Sequence, residues 1–142
     1  MLFRSNGHAK LTQCAFLFLD FLLHTEEVPH ASEELDARCH AHFSSWSLLP
    51  VPKDYKMHAA FSHLFGGGYA AGYYSYLWAE ILEADVFTRF KEEGIMNATT
   101  GEAFRSSILA QGSQKPADEL FRDFMKRDPS PEALMKREAL TS

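Results

Sequence analysis

Three consecutive glycines, Gly66, Gly67 and Gly68, separate a histidine from a run of tyrosines, and no other stretch constrains the fold as tightly. Between Phe61 and Trp78 stand His63, Tyr69, Tyr73, Tyr74, Tyr76 and Trp78. Glycine lacks the Cβ that penalises positive φ, so the backbone can turn sharply there. Past the glycines the pattern is helical. At roughly 100° per residue the spacing i, i+4, i+7 of Tyr69, Tyr73 and Tyr76 puts three phenols on one face. Tyr74, Trp78, Ile81 and Leu82 fall on a second face, which reads as the buried one. Phenols set apart from the apolar face, beside a glycine hinge, read from spacing alone either as an aromatic stripe packed in the core with its hydroxyls satisfied locally or as a surface presented to a ligand. A phosphate-cradling loop does not fit, because no Lys-Ser/Thr follows the glycines.

The rest of the chain reads as helices separated by short breaks. Residues 8 to 24 form a helix that is apolar nearly all round, so it needs neighbours on several sides. Its run Cys14 to Leu23 is too short to cross a bilayer, which needs about 20 apolar residues. Asp20 interrupts it, and the acidic Glu26-Glu27 after it argue against a cleaved signal peptide. Ser32 caps a second helix to Phe43, with Glu33 and Glu34 at its positive end. Residues 44 to 54, with Pro50 and Pro52, form a loop. A short helix spans Met57 to Phe65. A long one runs from Tyr69 to Glu93 and stops at Gly94. Asn97 to Gly101 is a turn, residues 102 to 111 a helix ended by Gly112, and residues 116 to 126 a helix opened by Pro116. Ser130 caps a last helix from Pro131 through Ala139. No alternating β pattern appears. The expectation is an all-α protein forming a single helical unit over residues 1–142.

Composition narrows the partners. Hydrophobic residues make up 46% and charged residues 23%, with a net charge of −5. That balance is globular. Its sign disfavours nucleic acid and anionic membrane, both of which attract basic surfaces. Two cysteines, Cys14 and Cys39, do not make a disulfide framework, and read as free thiols in a reducing, cytoplasmic compartment. Cys39-His40-x-His42 is too compact for the common zinc spacings, and His58 and His63 lie five apart, where ligands on one helix want i, i+4. No metal is expected on this chain. No Ser-His-Asp or Cys-His arrangement can be picked out from spacing.

The segment from His63 to Trp78 resembles the C-terminal signature of the thimet oligopeptidase family of zinc metallopeptidases, and is most similar to its oligopeptidase A and peptidyl-dipeptidase (dipeptidyl carboxypeptidase) branch. The similarity extends to Leu19-Asp20-Phe21-x-Leu23-His24-Thr25 upstream. Downstream it covers Phe87-x-x-Phe90, Gly94-Ile95-x-Asn97, Gly101-x-x-Phe104-Arg105, Ile108-Leu109-x-x-Gly112 and Phe124-x-x-Arg127-x-Pro129. It thus covers most of the chain. Met125 and Ala139 depart from glycines common at those places. The family's zinc-binding His-Glu-x-x-His helix is absent from the sequence.

The resemblance implies the helical C-terminal part of a peptide-hydrolysing catalytic domain. It implies zinc in the parent enzyme, with ligands and catalytic glutamate outside this sequence. Tyr76 would support the oxyanion, and His63 would hydrogen-bond the peptide near the cleaved bond. Tyr69, moving on the hinge Gly66, Gly67 and Gly68, would contact substrate, with Tyr73 on the same face. The expected partners are a short peptide substrate and the metal-bearing remainder of the enzyme. Alone, the chain is expected to be inactive and to self-associate through its apolar helix. The alternative is a non-catalytic helical module that binds peptides or forms oligomers through the same tyrosines.

Overall fold

The computed structural model describes residues 3–27 and 29–138. Among them every regular element is helical, with no strand. The helices are α1 (Phe3–Thr25), α2 (Ser32–Trp46), α3 (Met57–Ala60), α4 (Ser62–Gly66), α5 (Ser75–Glu93), α6 (Ala98–Ser107), α7 (Ala117–Met125) and α8 (Glu132–Arg137), with a 3-10 turn at Leu109–Gln111. The chain divides into two compact units, Met1–Tyr76 and Leu77–Ser142.

In the first unit α1 packs against α2. Ala15, Leu19, Cys39, Phe43, Phe61 and Leu64 form the core, with Phe16, Leu35, Val51, Tyr55 and Tyr73 packed around it. Burial on α1 reaches Ala15, Leu17, Leu19 and Asp20, a wide arc that suits a helix apolar on most sides. Phe18, on the remaining side, stacks on Trp46 at 5.0 Å. Two histidines act as cross-links: His42 Nε2–H donates to the Ala15 carbonyl at 2.8 Å and His40 Nε2–H to the Val51 carbonyl at 3.2 Å. The expected cap Ser32 is instead the first helical residue. Ala31 stands at the N-cap with no side-chain bond, and α2 runs one turn further, to Trp46.

The second unit is built on aromatic contacts. Phe90, Phe104 and Phe124 meet pairwise at 5.6, 6.0 and 5.5 Å between ring centres. Phe121 and Phe124 are among its most deeply buried side chains, each contributing about 1.5–3 kcal/mol from burial. Gly94 takes φ 106° to end α5. The expected turn at Asn97–Gly101 is instead the start of α6. Asn97 caps it, accepting from the backbone N–H groups of Thr99 and Thr100 while its own amide donates to the Glu93 carbonyl. The last helix opens one residue later than expected: Pro131 stands at the N-cap and Glu132 is the first helical residue, its N–H donating to the Ser130 hydroxyl at 3.3 Å. It is assigned to Arg137, and Ala139 lies outside the described residues.

Asp85 on α5 is 2% exposed. Arg127 grips both its oxygens, at 2.7 and 2.5 Å, and the Ser130 N–H adds a third bond at 2.8 Å. Burial opposes ionisation of this carboxyl, but the Arg127 hydrogen bonds, the Ser130 N–H and the guanidinium charge together hold it below its ordinary range. Such a group stabilises the fold fully above the ordinary carboxylate range, and that contribution is lost as the pH falls through the lowered value. The expected acid-side loss of stability therefore sets in below about pH 4. Arg127→Ala strands Asp85 without its cation. The Arg127 side chain is 43% exposed, so the cost is expected at about 2–3 kcal/mol, short of the 3–5 for a fully buried pair. Urea unfolding at neutral pH measures it, and the same variant should show a weaker acid limb.

Candidate functional site

The backbone around the glycines is held in a form that only these residues permit. A Cβ on Gly67 would lie 3.0 Å from the His63 carbonyl oxygen and 3.2 Å from Tyr69 Cδ2, and Gly68 takes φ 75°. The chain then passes through tight turns, not helix. Gly72 N–H donates to the Tyr69 carbonyl at 2.8 Å, Ser75 N–H to Gly72 and Tyr76 N–H to Tyr73. Ala71 sits at φ 51°, which no α-helix allows. The expected helix from Tyr69 therefore begins only at Ser75. Tyr69 and Tyr73 lie in the turns before it and Tyr76 in its first turn.

What imposes the turn is Asp20. Its carboxylate is fully buried. Oδ1 accepts from Ala71 N–H at 2.9 Å and Oδ2 from Tyr73 N–H at 2.8 Å. His24, one helical turn further along α1, brings Nδ1 to 2.8 Å from Oδ1. Two backbone donors that a helix from Tyr69 would direct along its own axis are drawn to α1 instead. Tyr74 is carried outward by the same turn. It stacks on Phe21 and stays 48% exposed, and Trp78 is 46% exposed, so the face expected to be buried is largely open within the described residues.

The turn still gathers the three phenols. Tyr69 and Tyr76 rings lie 5.2 Å apart and Tyr73 and Tyr76 rings 5.1 Å apart. His63, exposed on α4, joins them at 5.7 Å from Tyr69, 6.1 Å from Tyr76 and 6.4 Å from Tyr73. Phe61 supports the group from the core side, 5.0 Å from Tyr73. The Tyr69 hydrogen bond pushes the Tyr76 phenol above its ordinary value, with desolvation and the neighbouring phenols adding to the effect. Burial does the same for Tyr73. Both phenols therefore keep their protons well into the alkaline range and can donate hydrogen bonds. Tyr76 remains 38% exposed, so the cluster opens to the surface.

His24, His40, His42 and His58 are engaged in the fold. His58 is buried and donates from Nε2 to Asp36 at 2.9 Å, while Lys56 holds the second Asp36 oxygen at 2.5 Å. Among the described residues no group of three or more His, Cys, Asp or Glu side chains is placed to hold a metal ion. The donor set for zinc is therefore not found on the described part of this chain. The residues that spacing did not single out are Asp20 and His24. The available signal was a lone carboxylate inside an otherwise apolar helix, which has to find hydrogen-bond donors when buried.

Comparison with known proteins identifies the family. Residues 3–140 match the family described as Peptidase family M3. Oligopeptidase A of Salmonella typhimurium is 41% identical over 126 residues, 89% of this chain and 18% of the relative. Probable cytosolic oligopeptidase A of Arabidopsis thaliana is 40% identical over 141 residues, 94% of this chain and 20% of the relative. Dipeptidyl carboxypeptidase of Escherichia coli is 39% identical over 82 residues, 58% of this chain and 12% of the relative. The chain belongs to peptidase family M3, and spans about a fifth of the length of the oligopeptidase A relatives.

Replacing Tyr69 by Phe removes the hydrogen bond that does most to raise the Tyr76 phenol. Tyr76 in that variant is expected to ionise at lower pH than in the parent chain. A spectrophotometric phenol titration resolves the change, and an unmoved Tyr76 would mean that no Tyr69–Tyr76 bond exists in solution.

Proposed function

We propose that this chain forms the substrate-binding and transition-state-stabilising wall of a peptide-hydrolysing cleft whose metal-bearing part lies elsewhere in the parent enzyme. The observation that carries this reading is the surface-open cluster of phenols, Tyr69, Tyr73 and Tyr76, around His63. Family membership supplies the reaction class. The whole chain, 1–142, would serve as one segment of that catalytic domain.

The roles follow from hydrogen-bond chemistry. When water adds to a peptide carbonyl, the oxygen gains charge, and a neutral phenol aimed at it donates a bond that strengthens as the charge grows. Tyr76 takes this role, as the family resemblance implies; it stands on the first turn of α5 and opens to the surface. His63 hydrogen-bonds the peptide beside the reacting carbonyl. Tyr69 contacts the peptide from the glycine hinge Gly66 to Gly68, and Tyr73 lines the same side. Zinc would be held by residues outside the described part of this chain, and would supply the activated water. The compartment proposed is reducing and cytoplasmic, consistent with Cys14 and Cys39 as free thiols. Among the described residues no helix is long and apolar enough to cross a membrane.

The test is a chimera: this chain in place of the corresponding segment of oligopeptidase A from Salmonella typhimurium. Tyr76→Phe in the active chimera is expected to lower kcat by about 10²–10³ with little change in KM. Tyr69→Ala is expected to raise KM. The isolated chain should bind a short peptide weakly without cleaving it. An unaltered kcat in Tyr76→Phe would remove the oxyanion role, and turnover by the isolated chain would overturn the division between the two parts.

A further inference from the structure

The glycine stretch is fastened at both ends to the same turn of α1. On its C-terminal side, Ala71 and Tyr73 give their backbone N–H groups to the two oxygens of Asp20. On its N-terminal side, Phe65 lies 5.5 Å from the His24 ring. Asp20 and His24 are themselves joined, with Nδ1 2.8 Å from Oδ1. A buried carboxylate is tolerated only when donors surround it, and here two backbone N–H groups converge on one that is fully buried, while His24 Nδ1 lies within reach of both Oδ1 and the Asp20 carbonyl, at 2.9 Å from the latter.

We infer that Asp20 and His24 are positioning residues for the tyrosine cluster, a role that rests on its being the substrate-facing wall. They divide it into a fixed and a movable part. Tyr73 is clamped through its own N–H, and Tyr76 follows it by three residues on a helical turn. Tyr69 sits inside the span 66–70, between the two anchors, where Gly68 takes positive φ and Ala70 is exposed. Motion of the hinge is thereby confined to about one residue of the cluster. Tyr69 can swing to meet a peptide while Tyr73 and Tyr76 keep their places.

Amide hydrogen exchange and NMR on the full 142-residue chain test this. In the parent protein the Ala71 and Tyr73 amides should exchange at least tenfold more slowly than those of Gly67 and Gly68. Asp20→Asn keeps the shape but turns one acceptor into a donor. It should speed exchange at 71 and 73 at least tenfold and shift the Tyr73 and Tyr76 ring signals. Amides of α2 and α7 should be unchanged, which a general loss of stability would not spare. His24→Leu retains bulk and loses the Nδ1 donor; it covers the case in which Asp20→Asn does not fold. It should speed exchange at Gly66 and Gly67 at least threefold and leave α2 untouched. Unchanged exchange at these positions, or uniform acceleration through the first unit, would overturn the inference. Peptide binding measured alongside separates the two readings: loosened anchors with unaltered peptide affinity would count against the wall while leaving the anchors in place.

Discussion

A carboxylate with no access to water governs the first unit. Asp20 is fully buried on α1, and an ion in such a place is stable only if hydrogen bonds replace its hydration. The chain meets that demand with the backbone N–H groups of Ala71 and Tyr73, more than fifty residues away. Everything distinctive about the tyrosine turn follows. The N–H groups point at α1 and not along a helix, Ala71 is pushed to positive φ, and α5 starts six residues later than the glycine pattern suggests. An apolar side chain at position 20 would remove the cost of burying charge, but would leave two backbone donors unpaired, each worth about 1–3 kcal/mol. Charge and turn are therefore retained together.

Helix content was largely legible in the chain because the apolar periodicity is long and the breaks carry strong markers. Gly94, Gly112 and the prolines near 50, 116 and 129 end or open elements where backbone chemistry requires it. The failures share a cause. Tyr69, Tyr73 and Tyr76 were placed on one helical face by spacing alone. The structure brings their rings together, but through tight turns dictated by a distant side chain, which no local pattern encodes. The sequence pattern places Asn97 in a turn that ends at Gly101, a residue that weakens a helix. The capping bonds of Asn97 to Thr99 and Thr100 outweigh that preference. Ser32 was the reverse case, a good cap by type whose side chain makes no capping bond.

The candidate site was legible to the extent that its residue types are rare together. A histidine, three glycines and spaced tyrosines are an uncommon combination. Which phenol holds its proton most firmly was not legible. That depends on the Tyr69–Tyr76 hydrogen bond and on the burial of Tyr73, both products of the turn. The histidines show the same limit. His40, His42 and His58 look alike as potential ligands on paper, yet each is committed to a carbonyl or carboxylate of the fold, while His63 is exposed beside the phenols.

The grip of Arg127 on Asp85 has a bearing on biosynthesis. A nascent chain emerges from its N-terminus, and compact units generally fold in that order. The first unit has every partner of Asp20 once residue 73 is out. The second has its buried aspartate on α5 but its arginine 42 positions later. Until that arginine leaves the ribosome, α5 carries a bare anion that opposes docking of the surrounding phenylalanines. The first half is thus built to settle while the second is still being made, and the second to wait and close in one late step.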